Sequence, residues 1–391
     1  MIGAARSFVP FGSLWKMAID VPYSFLVRDG HHAWSCGQLA LDRDAKVMAP
    51  NDIAMQSQIV SGYIGDILAQ ANIGNGSVKR LVLYYIDQRD GDRAAMLAEF
   101  RRVFGSGVLL DPVPVPHFYY DGVVLEVDVF AGARVEKQTK KMPTASSVRV
   151  AEDDHLLWIS VEAPLQDIGS ACDLLSSELR SHGLSSRAML SGRWFAPNAQ
   201  LIQLGNAIGN SELMLDAGAS VGLGQAAAEC AGHFIFLRRD KGISRSREPD
   251  LEKGKVRLTS CHAPEFGWIQ ARCTDARLDL VEQTKRVMRA IEQELNRRDL
   301  DFRSVVKATT HYVGGSQARE LHDNMNVRNA YYRKPGPAST GLPVFGFADA
   351  SSRITVDVFL KPDSVRWAIM EPETDSPACK MSVSVLFGSG S

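Results

Sequence analysis

The sequence lacks the features that define several common classes of protein. No run of about 18 apolar residues occurs, so no transmembrane helix is expected. Charge of one sign is not in excess, because 44 Lys and Arg stand against 45 Asp and Glu, and this balance disfavours an electrostatic nucleic-acid binder. The six cysteines form no CxxC pair, which argues against a disulfide scaffold or a zinc finger.

What remains is the composition of an ordinary globular protein, with 45% hydrophobic residues for a sizeable core. At roughly 150 residues per domain, 391 residues predict two or three domains. We expect a cytoplasmic enzyme or binding protein that acts on a small molecule. We expect no metal, no cofactor, and neither nucleic acid nor a membrane as a partner.

The amino terminus shows no clear secretory signal, because Pro10 and Gly12 interrupt its short apolar stretch. Met17 begins a strand-like pattern. We therefore expect residues 1–19 to form an N-terminal extension, with the first 16 residues dispensable. Both Met1 and Met17 remain candidates for the natural start.

One order of elements occurs three times along the chain. Each copy begins with a Trp-bearing strand, at 31–41, 155–165 and 266–274. A helix follows, at 53–73, 168–184 and 278–300, then a strand, at 78–90, 187–199 and 305–317. A second helix comes next, at 94–104, 199–209 and 318–332, and a closing strand ends each copy, at 123–132, 233–239 and 353–361. In the third copy the apolar residues of the first helix form one face: Leu280, Val287, Met288, Ile291 and Leu295.

The pattern predicts an α+β fold of three tandem β-α-β-α-β units, each a sheet backed by two helices. The run VDVF closes the first and third copies, at 127–130 and 356–359. The predicted units are 20–135, a diverged 146–240, and 254–362, followed by a C-terminal tail at 363–391 that has no counterpart. The alternative is two related domains on either side of an unrelated middle one.

The first copy resembles the RidA family, also called YjgF/YER057c/UK114, of enamine/imine deaminases. The run VPYS at 21–24, the run SCGQ at 35–38 and the closing strand LEVDVF at 125–130 carry the resemblance. The third copy is similar in its helices and closing strand but lacks the first two motifs. The resemblance implies chorismate mutase-like units that form trimers with ligand clefts between neighbours. Three fused copies could build a pseudo-trimer within one chain, or the chain could form a homo-oligomer.

The resemblance also implies a set of site residues. Tyr23 matches the family tyrosine that lines the cleft. Asp128 and Asp357 occupy the position of a carboxylate that activates water, and the alternative is that they face solvent on a polar strand face. Gln38 belongs to the second motif, and the thiol of Cys36 beside it is expected to be a buried small hydrophobe.

The segment before the closing strand departs from the family pattern. The family arginine that pairs with a substrate carboxylate is absent, and Ser339 stands in its place in the third copy. Five other arginines could supply the cation, and the sequence does not rank them: Arg28, Arg149, Arg193, Arg272 and Arg333. We expect Tyr120 and Ser339, with Gln38, to bind substrate. His117 is expected to donate a proton, because imidazole titrates near neutral pH, and its alternative is a solvent-facing loop residue.

These features favour a hydrolase, deaminase or tautomerase that acts on a small enamine, imine or related unsaturated acid through an oriented water. The alternatives are a non-catalytic small-molecule or partner-binding protein on the same fold, which the missing arginine would explain, and a chorismatase-like hydrolase of secondary metabolism, since chorismatases resemble fused RidA-type units. RNA cleavage is disfavoured by the neutral charge.

Overall fold

The computed structural model describes residues 6–133, 146–208, 221–223, 229–239, 242–251, 255–314, 318–362 and 367–369. These residues form a mixed α+β fold with six helices and two sheets, of 14 and 6 strands. Within these ranges, none of the helices combines the length and the apolar character that a membrane crossing requires. The strand-like run at 381–387 lies outside the described residues.

The first segment comprises β2 to β7 and is preceded by strand β1 (Arg6–Pro10). Its elements are β2 (Ser24–Asp29), β3 (His32–Ser35), β4 (Gln38–Leu39), α1 (Ile53–Gln70), β5 (Val78–Tyr85), α2 (Asp92–Phe104), β6 (Leu109–Pro114) and β7 (Leu125–Ala131). Helix α1 begins at a capping aspartate, because Asp52 accepts the Met55 N–H at 3.0 Å. Its apolar face is fully buried against the sheet at Val60, Ile64 and Ile67.

The second segment comprises β8 to β12, and the third comprises β13 to β19. The second contains β8 (Ser147–Glu152), β9 (Leu156–Pro164), α3 (Ile168–Ser181), β10 (Met189–Pro197), α4 (Leu201–Ile208), β11 (Val221–Leu223) and β12 (Glu229–Leu237). The third contains β13 (Ser244–Leu251), β14 (Val256–His262), β15 (Gly267–Cys273), α5 (Leu280–Asn296), β16 (Val305–Tyr312), α6 (Ala318–Asn329), β17 (Ala338–Pro343), β18 (Gly346–Phe347) and β19 (Ile354–Leu360). Strand β20 (Trp367–Ile369) follows.

The three segments share one order of neighbouring strands. This order is β2-β3-β7-β5-β6 in the first, β8-β9-β12-β10-β11 in the second and β14-β15-β19-β16-β17 in the third. In each segment the last pair is parallel and the pair before it is antiparallel. The first and third segments join into one sheet, because β17 pairs in parallel with β2 at Ala338 and Ser24.

The cores confirm the apolar patterns of the sequence. All five residues of the predicted α5 face are fully buried. A further apolar cluster collects residues of all three segments, and it contains the Trp near the start of each repeated strand: Trp34, Trp158 and Trp268. The segments therefore bury apolar surface against one another as well as under their own helices.

Buried polar contacts also join the segments. Lys307 Nζ in β16 donates to Asp128 Oδ1 in β7 at 2.8 Å, and both side chains are at most 1% exposed. The Arg193 guanidinium in β10 pairs with Asp357 in β19. The last strand of each segment carries a polar residue at an equivalent position, which pairs with the fifth residue of the neighbouring antiparallel strand. These residues are Asp128 opposite Val82, His233 opposite Arg193, and Asp357 opposite Thr309.

Residues 6–16 are integrated into the fold, and these contacts do not favour the expectation that the first 16 residues are dispensable. Strand β1 pairs antiparallel with β2 and parallel with β20. The Arg6 guanidinium is 1% exposed and donates to Asp29 at 2.9 Å and to the carbonyl oxygens of Arg303 and Lys361. Trp15 is also 1% exposed, and its Nε1 donates to Gln38 Oε1 at 3.3 Å.

Replacing Trp15 by phenylalanine is expected to lower the free energy of unfolding by about 1–2 kcal/mol, because the buried Gln38 oxygen loses its donor. Denaturant unfolding measures this difference. The Phe345→Leu variant serves as the control, since this side chain is 39% exposed, and a change within about 0.5 kcal/mol is expected. Equal stability of Trp15→Phe and the wild type would show that the N-terminal segment is loosely attached.

Candidate functional site

A cleft lies between the first and third segments, close to the point where β17 meets β2. Apolar walls come from residues 11–17, the loop before β7 and helix α6. They include Trp15, Met17, Phe118 and Met325. Six of the lining side chains carry a hydroxyl, carboxyl or guanidinium group: Tyr23, Tyr119, Tyr120, Glu126, Arg328 and Ser339. An apolar cleft with a few convergent polar groups is the usual form of a small-molecule site.

Glu126 is the carboxyl group of this cleft. It is 8% exposed, and among the described residues none forms a hydrogen bond or an ion pair with its carboxyl group. Burial and, to a smaller extent, the charge of Asp128 together raise the pKa of Glu126 to about 8, although the positive charge of Lys307 opposes the shift. Glu126 is therefore mostly protonated at neutral pH and can donate a proton.

Gly37 makes room for this carboxyl group. A Cβ atom at residue 37 would overlap Glu126 Oε1, so any other residue would displace the glutamate. The neighbouring Cys36 thiol also lines the cleft, and burial holds its pKa well above the usual value. The thiol is therefore no thiolate nucleophile at neutral pH, in agreement with its expected role as a small buried side chain.

Arg328 supplies the positive charge of the cleft. Its guanidinium is 4% exposed and donates to two neutral acceptors, Asn324 Oδ1 at 3.0 Å and Thr310 Oγ1 at 3.1 Å. No carboxylate among the described residues pairs with it. A buried charge without a counterion is costly, so an anionic ligand would be favoured here. A Cβ atom at Gly341 would lie 3.3 Å from the guanidinium, so a side chain at this position would crowd it.

Tyr23 and Ser339 stand next to this arginine. Burial raises the pKa of Tyr23, and the positive charge of Arg328 lowers it in part. The Tyr23 hydroxyl is buried beside Ser339, with no hydrogen bond of normal geometry. Such an unsatisfied hydroxyl can donate to or accept from a ligand at little cost.

Of the seven residues that the sequence predicts for the site, three line the cleft and four do not. Tyr23, Tyr120 and Ser339 line the cleft. Gln38 lies behind the wall, fully buried, where it accepts from Trp15 and donates to the Cys36 carbonyl oxygen at 3.2 Å. His117 is half-buried and does not line the cleft.

Asp128 and Asp357 lie at neither of the two expected places, the cleft or the solvent. Asp128 is 1% exposed and is occupied by Lys307 and Thr340. Asp357 is 4% exposed, pairs with Arg193 and accepts from Gln270 Nε2 at 2.8 Å. Carboxylates neutralised inside segment junctions are poorly placed to activate water, so the geometry does not support that role.

The structure instead brings together Glu126 and Arg328, which the sequence analysis did not propose. Glu126 is two residues before Asp128 on the same strand face, and register aligns it with Ala231 and Thr355 of the other segments. An acid therefore occurs at this position in one segment of three. Glu126 could have been found by comparing the three copies at this position, because the other two have no acid there. No local sequence pattern indicates Arg328.

The pKa of Glu126 predicts an effect on stability. Because the folded pKa of about 8 lies above the unfolded value, the contribution of Glu126 to stability is complete below about pH 4 and is lost as pH rises towards 8. Glu126→Gln should therefore match the wild type at pH 4 and exceed its free energy of unfolding by about 4 kcal/mol at pH 8.

Denaturant unfolding at the two pH values checks this prediction. Exposed Glu292 in α5 gives the control, and Glu292→Gln should leave the pH dependence unchanged. A constant difference between Glu126→Gln and the wild type across this range would mean that Glu126 ionises as an ordinary glutamate.

No protein-family model matches the chain, and no curated protein matches it. Among solved structures, a chorismatase is similar with 13% identity and a TM-score of 0.50, over 73% of this chain and 94% of the chorismatase. A YjgF/YER057c/UK114 family member from Mycobacterium tuberculosis matches at 23% identity over 33% of this chain and all of its own, with a TM-score of 0.28. A Rid family protein from Yersinia pestis matches at 20% identity over 33% of this chain and all of its own, with a TM-score of 0.29.

The chorismatase comparison shows a shared fold. It covers most of both chains, and it fits the chorismate mutase-like α+β architecture expected from the sequence.

Proposed function

We propose that the chain is a hydrolase of small unsaturated carboxylates whose double-bonded C2 carries a nitrogen or oxygen substituent, with enamines and imines as the first candidates. One observation supports this most strongly. A protonated, unpaired glutamate and a buried arginine without a counterion line the same apolar cleft. The first group suits proton donation to an electron-rich carbon, and the second suits a carboxylate anchor.

Arg328 would bind the substrate carboxylate, and Tyr23 and Ser339 would hold the adjoining atoms. The Glu126 carboxyl group then donates its proton to the terminal carbon of the C=C bond, which leaves a cationic C2. Water adds to C2 and returns a proton to the Glu126 carboxylate. The resulting tetrahedral intermediate loses ammonia or an alcohol and yields a 2-keto acid. A pKa of about 8 suits both halves of this cycle near neutral pH.

We further propose that the chain consists of three tandem RidA-like units arranged as a pseudo-trimer. The repeated strand order and the equivalent inward positions of Asp128, His233 and Asp357 support it. The cleft with Glu126 would then be the catalytic one, because the second and third segments have Ala231 and Thr355 at the position of Glu126.

A chorismatase-like hydrolysis is the second candidate, favoured by the fold likeness over 94% of that protein. Chorismate contains an enol ether of pyruvate, so carbon protonation by Glu126 and water addition would cleave it by the same steps. The two candidates differ in the departing atom, which is nitrogen in an enamine and oxygen in an enol ether.

The test supplies the purified chain with 2-aminoacrylate generated in situ and, separately, with chorismate, and follows pyruvate release. We expect release above the uncatalysed rate with one of them, and its loss in Glu126→Gln but not in Glu292→Gln. No acceleration with either substrate would contradict the proposed hydrolysis and favour a non-catalytic binding protein.

Arg328→Met is expected to lower kcat/KM by about 10- to 100-fold, chiefly through KM, because a charge-assisted contact to the substrate carboxylate is lost. The same variant should unfold at higher denaturant than the wild type without ligand, since a buried unpaired charge is removed. Steady-state kinetics and denaturant unfolding measure the two effects. The control is Arg319→Met in the same helix, where the side chain is 93% exposed. An unchanged KM would exclude Arg328 as the anchor.

A further inference from the structure

A hydrogen bond connects the cleft to the outer surface of α6. Tyr119, in the loop between β6 and β7, lines the cleft, and its hydroxyl oxygen lies 2.6 Å from His322 Nε2. Their ring centroids are 5.3 Å apart. His322 is half-buried, and its neighbour Asp323 is exposed, so the imidazole lies between the cleft wall and solvent. The same helix carries Arg328, which ties this contact to the cleft that the proposed reaction uses.

The proposed reaction needs one more proton donor than Glu126 provides. Glu126 gives its proton to carbon and regains one from water, while the departing nitrogen or oxygen leaves with an extra electron pair. Of the tyrosines that line the cleft, Tyr120 accepts the Ala18 N–H at 2.9 Å, and the Tyr23 hydroxyl has no hydrogen bond of normal geometry. Tyr119 differs from both because an imidazole, the side chain best suited to exchange protons with solvent at neutral pH, backs its hydroxyl.

We propose that Tyr119 is the catalytic acid for the departing heteroatom and that His322 is a positioning residue that holds Tyr119 and renews its proton. This inference rests on the proposed hydrolysis. In the step, the bond from C2 to the heteroatom breaks and its electron pair goes to that atom. The heteroatom takes the Tyr119 proton, and Tyr119 takes one from protonated His322 Nε2. The hydroxyl proton of the intermediate leaves to water as the carbonyl forms, and His322 recovers a proton from solvent.

The experiment compares two time courses in the full chain, with whichever of 2-aminoacrylate and chorismate the wild type hydrolyses. Loss of the C=C absorbance reports protonation of carbon, and rapid-quench assay of pyruvate reports departure of the heteroatom. In the wild type the two curves should coincide. In Tyr119→Phe and His322→Gln, pyruvate release should lag behind loss of the double bond by about 10²-fold in rate, because the intermediate then breaks down without an acid.

A defect in packing alone would slow both curves together, so the lag separates proton donation from a structural role. Tyr120→Phe removes another cleft hydroxyl that has no imidazole partner, and its two curves should stay superimposed. Superimposed curves in Tyr119→Phe, with an active wild type, would overturn this inference and leave the proposed hydrolysis standing. Absence of turnover in the wild type would overturn both.

Discussion

Replacing Glu126 by glutamine is expected to lower kcat/KM by about 10²- to 10⁴-fold, the usual contribution of a positioned general acid. Glutamine keeps the size of the side chain and fills the space left by Gly37, so the cleft should keep its shape. The loss should fall on kcat rather than KM, because the substrate anchor is Arg328. Steady-state kinetics with the active substrate measures this split.

The pH dependence of wild-type activity is a second test of the role of Glu126 as proton donor. Activity that needs a protonated Glu126 should fall as pH rises through about 8, the pKa set by burial. Asp128→Asn should move this fall to lower pH, because a negative charge that raises the Glu126 pKa is removed while burial and the opposing charge of Lys307 remain. A Glu126→Gln variant with wild-type kcat, or an unchanged profile in Asp128→Asn, would contradict the role given to Glu126.

Lys307→Met should lower the free energy of unfolding by about 3–5 kcal/mol, because it leaves the Asp128 carboxylate buried without its cation. Lys307 Nζ also donates to the Ser35 carbonyl oxygen at 2.8 Å and to Thr340, so three acceptors lose their donor together. Urea or guanidinium unfolding checks the value. Lys334→Met is the control, since this lysine pairs with Asp20 at the surface and should contribute about 1 kcal/mol at most.

The double variant Lys307→Met/Asp128→Asn distinguishes the pair from general packing. Removing both charges should recover much of the stability lost in the single variant, since neither charge then remains buried alone. Equal or greater loss in the double variant would mean that the contacts of Lys307 with Ser35 and Thr340, rather than its charge on Asp128, hold the junction.

The repeated order of elements could be predicted from the sequence because each strand and helix has its own apolar period. The buried α5 face and the three clustered tryptophans are local patterns of this kind. Strand β1 was missed, because Pro10 and Gly12 interrupt a short segment whose pairing partners, β2 and β20, are distant in the chain. Pairing between remote segments leaves no periodic signal in either of them.

The candidate site was predicted only where a motif lies next to it. Tyr23 lies beside the cleft as its motif implied, whereas the expected carboxylate at 128 is neutralised by Lys307, which is 179 positions away in the chain. Arg328 reaches the cleft because the pairing of β17 with β2 brings the third segment against the first. Contacts between segments therefore determine that Asp128 is paired and Glu126 is not. A single sequence motif does not predict such contacts.

The protonation state of Glu126 is the central claim, and a ¹³C NMR titration of side-chain carboxyl-labelled glutamates measures it directly. We predict one resonance, absent from Glu126→Gln, that titrates near pH 8. If the resonance that disappears in Glu126→Gln titrates instead near pH 4, the ordinary value for glutamate, then Glu126 is ionised at neutral pH and cannot be the proton donor.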